Sequence, residues 1–391
     1  MNRFRLFQIW LAFGLLFALS CGSAWATEDY PQPRGNAVQA ATAGKWRVAY
    51  IEGGGYTDYQ RILAATAKGL AELGIIADGD VPVPVGTDDT RPIWDWLADH
   101  AGGNRLEFLK DGYYSAHWDK DRRAANKEAL LKRIREKGDV DMVFAFGTWA
   151  GLDTATADIS VPVFSMSVTD AVQAGIASSL EDSGRDNVHA QIDPTRYKRQ
   201  IAVFHDIFGF KKLGVPYEDT PEGRSDVSLA AIEEAADELG IELVRCTTEL
   251  NVPADQSFAN LRQCVATLAK TSDAVYLTTN SGVQWNRMKE LLQPIIDAGV
   301  PSFSQSGIEE TKLGVLMSLS QSSFSSEGRF GAEAVAKVMN GALPRNVGQV
   351  FDSAIGLAIN LEMARRIYWD PPFEILLAAD AIYQDIKNAV E

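Results

Sequence analysis

The chain has 391 residues and a formal net charge of −15. So acidic a surface argues against nucleic acid and anionic membranes as partners. Apolar residues make up 46%, enough for a sizeable core, and the length exceeds what one ordinary core fills, so two domains are expected.

Chain order begins with an export pattern. Arg3 and Arg5 precede an almost wholly apolar run from Leu6 to Leu19, then the small-x-small triplet Ala24-Trp25-Ala26 and the polar Thr27-Glu28-Asp29. That layout predicts a cleaved signal peptide over 1–26, because the apolar run is shorter than the ~20 residues a membrane span needs. Ala18 to Cys21 loosely resembles a lipobox, so a lipid-anchored Cys21 is the other reading of the cut. A polar tail over 27–45 follows. The mature protein is then expected outside the cytoplasm, in the periplasm.

From Trp46 onward strands and helices alternate, as in α/β units on parallel sheets. Trp46–Ile51 reads as a strand ending at Gly53-Gly54-Gly55, and Asp58 as the cap of a helix carrying Ile62, Leu63, Leu70 and Leu73. Residues 77–105 break the rhythm with turn-rich stretches around Pro82 and Pro92 and the aromatics Trp94 and Trp96. They read as an insertion before a strand at Leu106–Leu109. Further strands are expected at 140–146, 161–165, 213–217, 241–246, 273–278, 301–304 and 315–318, with helices at 228–239, 283–298 and 327–339. Cys246 and Cys264 fit a disulfide in an oxidising compartment, worth about 3 kcal/mol for a loop of this size; two separately buried thiols are the alternative.

Ligands of parallel α/β sheets bind beyond the carboxyl ends of the strands. The residues there are Gly55 and Tyr56, then Thr148 and Trp149, then Ser167, Thr169 and Asp170, and in the second half Tyr217, Asn280 and Gln305. Hydroxyls, amides and glycine-freed N–H groups suit a small zwitterion or carboxylate, and the aromatics suit a flat or apolar body. Titratable groups look sparse, and Glu309-Glu310 and Glu233-Glu234 read as solvated faces. His100, His117, His189 and His205 are scattered without metal-ligand spacing. No nucleophile elbow, dinucleotide fingerprint or Walker lysine is present. No catalytic set assembles, and no cofactor or metal is called for.

Several segments share a family pattern. Phe164–Ile176, reading FSMSVTDAVQAGI, resembles the "VTDPV-AG" segment of the ABC transporter substrate-binding family that includes tryptophan/tyrosine-type proteins, with Ala171 in place of its proline. Lys212–Tyr217, Asp273–Asn280, Ala298–Phe303, Gly314–Gly341, Ala358–Leu361 and Pro371–Leu376 resemble further segments in the family's order. The resemblance implies a type I periplasmic-binding-protein fold, two Rossmann-like lobes with parallel sheets joined by a three-crossing hinge. The lobes would comprise 46–191 plus 321–349, and 192–320 plus 350–391. Crossings would fall near 192–194, 318–321 and 350–351. It also implies a carboxylate held by Thr148, Ser167 and Thr169, with Tyr217, Asn280 and Gln305 closing from the other lobe. The implied role is a non-enzymatic, monomeric receptor for a small amino-acid-like or aromatic solute, serving an inner-membrane ABC permease. A ligand-sensing partner of a membrane receptor shares the fold, and turnover of any stabilising ligand would mark an exported enzyme instead.

Overall fold

The computed structural model describes residues 44–391 apart from 104, 322–323, 354 and 389–391, with backbone alone at 320 and 321. The signal peptide, Cys21 and most of the polar tail read from the sequence lie outside the described residues.

The first sheet is built from β1 (Trp46–Glu52), β2 (Leu106–Ser115), β3 (Met142–Phe146), β4 (Val163–Met166) and β5 (Val188–Ala190). It is wholly parallel in the order β2-β1-β3-β4-β5. Strand residues alternate between faces. Val48 and Tyr50 of β1 join one core cluster, Ala49 and Ile51 the other. Both faces are covered, which is why β3 is apolar without interruption. The helices among these strands are α1 (Thr57–Glu72), α2 (Arg91–His100), α3 (Lys120–Lys132) and α4 (Gly147–Thr154).

Residues 77–90 form neither helix nor strand, but the segment expected to be an insertion ends in core structure. Pro92 sits in the first turn of α2, and Ile93, Trp94 and Leu97 are fully buried on its inner face. The Trp94 indole N–H donates to the Leu109 carbonyl at 2.8 Å, tying α2 to β2.

Beyond β5 come α5 (Arg196–Phe208), β6 (Lys212–Tyr217), α6 (Pro221–Asp226), α7 (Leu229–Leu239), β7 (Glu242–Thr247) and α8 (Ala254–Thr271). They are followed by β8 (Ala274–Leu277), α9 (Met288–Ala298), β9 (Ser302–Ser304), α10 (Ile308–Lys312) and β10 (Met317–Gln321). The chain continues through α11 (Ser325–Met339), β11 (Ile355–Asn360), α12 (Leu361–Arg366), α13 (Phe373–Ala378) and β12 (Ala379–Tyr383). The second sheet runs β12-β11-β10-β9-β8-β6-β7. Its β7-β6-β8-β9-β10 portion repeats the strand order of the first sheet, so the molecule is two copies of one α/β plan. The second sheet is not wholly parallel: β11 is antiparallel to β10, and β12 parallel to β11.

The chain changes lobe three times. It leaves the first sheet after β5, returns after β10 so that α11 packs on α1, and leaves again before β11. The first and last passages are bonded to each other: Ile192 N–H donates to Gln349 O at 2.9 Å and Phe351 N–H to Ile192 O at 3.0 Å. In the second lobe a disulfide joins Cys246 of the edge strand β7 to Cys264 of α8, their Cα atoms 5.7 Å apart.

Candidate functional site

The turns at the carboxyl ends of β1 and β9 line a common cleft. One wall is the turn after β1 and the start of α1, with Tyr56, Thr57, Asp58 and Arg61. The other is the turn after β9 and α10, with Ser306, Gly307, Ile308, Glu309 and Glu310. Arg196 from the first turn of α5, Trp285 and Phe324 complete it. The space between the atoms is about 410 Å³, the open mouth included.

The expectation of few titratable groups is overturned here. Asp58 does not cap α1; the cap position is Tyr56, in extended conformation. Asp58 lies in the helix's first turn, buried, 3.8 Å from the guanidinium of Arg196 across the cleft. Burial raises its pKa, and Arg196 and Arg61 oppose that rise. Arg61 is ion-paired with Glu309, which also accepts from Lys312 at 3.0 Å. Burial pushes Glu309 up, but these two cations prevail and hold it below the usual range. The Glu309-Glu310 pair is no solvated face. Glu310 is 3% exposed because α10 has only one turn, and that turn places Glu310 and Thr311 inward.

Arg196 is the unusual member. Its five N–H donors make no hydrogen bond among the described residues. It has the ion pair at 3.8 Å and the ring of Tyr197, whose centroid is 5.5 Å from the guanidinium carbon, and it feels the charge of Glu327. A guanidinium at a cleft wall with its fork unoccupied is a ready receptor for a carboxylate, which it binds in bidentate fashion.

Of the residues singled out from the sequence, Tyr56 lines this space. Gly55 lies beside it, where a Cβ would come within 2.6 Å of the Asp88 carbonyl. Thr148, Trp149, Thr169 and Asp170 are gathered in a neighbouring strip where the lobes touch. Burial raises the Asp226 carboxyl to about 6 and the Thr148 hydroxyl beside it opposes the rise, while the Asp170 carbonyl and carboxylate accept from Ser225 at 3.1 Å and Ser228 at 3.2 Å. Arg123 stacks on Trp149 at 4.6 Å and reaches Glu222 at 3.5 Å. Burial raises the pKa of Tyr197, and Arg196 and the Thr169 hydroxyl oppose the rise. Ser167 has a left-handed backbone, φ 53°.

The second-lobe residues are used differently. Tyr217 is buried in that lobe's core. Asn280 spends its amide on its own turn, donating to Thr278 O and accepting from Gly282 N–H. Gln305 donates to Val227 O at 2.7 Å and accepts from Thr279 N–H at 2.8 Å, which brace the lobe's interior. The described residues hold no cluster of His, Cys, Asp and Glu fit for a metal ion, and no helix among them is long and apolar enough to cross a membrane.

The cleft chemistry gives a pH dependence with a definite sign. Burial holds the Glu310 carboxyl up at about 7, against an ordinary 4.5, while hydroxyls of Ser304 and Ser306 pull it down. The folded protein therefore binds this proton more tightly than the unfolded chain. The associated stability is full below about pH 4.5 and gone above about pH 7. Between roughly pH 5.5 and pH 8 the ligand-free protein should lose ~2 kcal/mol from this group. His189, pulled down to about 4 by burial, contributes ~1 kcal/mol of the opposite sign. Urea unfolding at both pH values should show that Glu310→Gln lacks the first contribution and keeps the second. Parallel losses in variant and parent would contradict the assignment.

The chain matches a family described as ABC transporter substrate binding protein over residues 104–382. Among solved structures it is similar to an ABC domain from Streptococcus pneumonia in complex with L-Trp, at 17% identity and a TM-score of 0.62, covering 86% of this chain and 99% of that one. It is also similar to a conserved domain protein from Vibrio cholerae, at 20% identity, TM-score 0.64 and the same coverage. A third is a substrate binding protein with adhesive properties from Clostridium difficile, ligand-free and open, at 16% identity and TM-score 0.58, covering 87% of this chain and all of that one. No curated protein matches the chain significantly. The fold is that of the two-lobed type I periplasmic binding proteins, and the family is one of substrate-binding proteins rather than enzymes.

Proposed function

We propose that this chain, which belongs to the ABC transporter substrate-binding protein family, is the extracytoplasmic capture component of an importer and takes an amino-acid-like solute into its interlobe cleft. The observation that carries the reading is Arg196. Its guanidinium faces the cleft without a hydrogen bond among the described residues, beside a carboxylate that prevents excess positive charge. A solute carboxylate would occupy the guanidinium fork, and its body would lie among Tyr56, Trp285, Ile308 and Phe324. The strip holding Thr148, Trp149, Thr169 and Asp170 would then report closure, since its bonds cross between lobes.

Delivery outside the cytoplasm rests on the export pattern in residues 1–26 and on the family. The proposed partner is a membrane permease, docking on the closed form. The similar Streptococcus protein was solved with L-Trp, which makes aromatic amino acids a natural first set of probes.

A thermal-shift screen of L-amino acids, aromatic acids, nucleosides and purines tests the reading. One or a few amino acids should raise the melting temperature in a concentration-dependent way, and each should be recovered unchanged after prolonged incubation. Stabilisation by nucleosides or purines alone, or turnover of the stabilising compound, would reject it.

A further inference from the structure

We infer that Glu310 is the receptor for a positively charged nitrogen of the captured solute, and that pairing with it expels a proton from the cleft. This rests on the amino-acid reading above and assigns the other end of the ligand.

Arg196 is offset by Asp58 at 3.8 Å. Glu309 is offset by Arg61 and Lys312. Glu310 also lies on the cleft wall, buried to 3% exposure, yet no cation stands within ion-pair distance of it among the described residues. What it has is hydroxyls: Ser304 donates to it at 2.6 Å, and Ser304 in turn accepts from Gly307 N–H at 2.9 Å. These bonds aim and hold the carboxyl without neutralising it. An unpaired charge in such a place is costly, so the group keeps its proton near neutral pH when the cleft is empty.

The charged side chains around it, three cations and two carboxylates, balance once a solute carboxylate sits on Arg196, which leaves an ionised Glu310 in need of a cation. From the α1 side come Tyr56, Asp58 and Arg61; from α5, Arg196 and Tyr197; from α10 itself, Glu309 and Lys312. Asp58 is the neighbour whose charge raises Glu310 further. Once a solute carboxylate occupies Arg196, both Asp58 and Glu310 face the rest of the molecule. An ammonium there donates to the Glu310 carboxylate, and the proton that Glu310 carried passes to the buffer. Binding should therefore tighten as pH rises toward about 7, by up to tenfold per unit where the proton is fully exchanged, and level off above it.

The test is isothermal titration of the full protein with each standard L-amino acid that binds, and with the same molecule lacking its α-ammonium, at pH 7 in two buffers of different ionisation enthalpy. The parent should prefer the amino acid by tenfold or more and release part of a proton. In Glu310→Gln that preference should fall at least tenfold, through loss of the amino acid's affinity, with the deaminated acid changed less than threefold. A merely structural role would weaken both ligands together. An unchanged preference in the variant, or a buffer-independent heat in the parent, overturns the inference while leaving amino-acid capture intact. Failure of all twenty amino acids to bind overturns the cleft reading itself, and this one with it. Should the variant not fold, the buffer dependence of the parent decides alone.

Discussion

Arg196→Ala is expected to weaken binding of any amino acid the protein captures by at least ~100-fold, the worth of a buried charge-assisted carboxylate pair. The same change removes the partner of Asp58, which is buried and 3.8 Å away, so a structural cost of about 3 kcal/mol comes with it. The two effects separate in the double variant Arg196→Ala with Asp58→Asn. Neutralising Asp58 should return most of the lost stability, because no uncompensated charge remains, and should return none of the affinity. Arg196→Lys keeps the charge but replaces the planar fork with a point charge, so an intermediate loss of about tenfold is expected. Calorimetric titration together with urea unfolding measures both quantities. Full affinity in Arg196→Ala would place the ligand's carboxylate elsewhere.

Why Arg196 was not legible in the sequence has a physical answer. It begins α5 directly after the first lobe crossing, and that helix opens with Arg196, Lys198 and Arg199. Cations in a first turn oppose the helix dipole, so the pattern is locally unfavourable and would have marked the site. That signal depends on knowing where α5 starts, and no side chain caps its N-terminus. Glu310 was hidden for another reason. A helix of five residues shows no amphipathic period, so an acidic pair looks solvated whichever way it faces.

The strands were legible because they are buried on both sides. The runs at β3, β6 and β8 are apolar, bounded by polar or glycine turns, and fall within a residue or two of their expected places. β5 has three residues and offers no pattern to find. Thr148 and Trp149, placed beyond the carboxyl end of the strand from the sequence, lie in the first turn of α4, which starts at Gly147 with φ 81°. Tyr56, singled out by its position after β1, lines the cleft, because that turn lies at the point where strand order reverses.

The packing of α11 on α1 yields the second large effect. α11 arrives from the second lobe's sheet and lies on α1 so tightly that a Cβ on Gly328 would sit 2.3 Å from the carbonyl carbon of Ala65 and 2.4 Å from its Cβ. Those are atoms of a helix interior, unable to rotate away. One turn on, Gly69 of α1 meets Ala332 in the same manner, at 2.8 Å. Gly328→Ala must therefore push the helices apart, at a cost of about 3 kcal/mol. Gly102→Ala, with open space around it and no unusual backbone, should cost almost nothing and serves as the control. The consequence reaches the ligand. Phe324 stands immediately before α11 and lines the cleft, so a displaced α11 carries that wall with it. Gly328→Ala is expected to lower urea stability and amino-acid affinity together. Were stability to fall with affinity unchanged, the position of Phe324 would be independent of α11, and the second crossing would not couple the cleft to the packing of the first lobe.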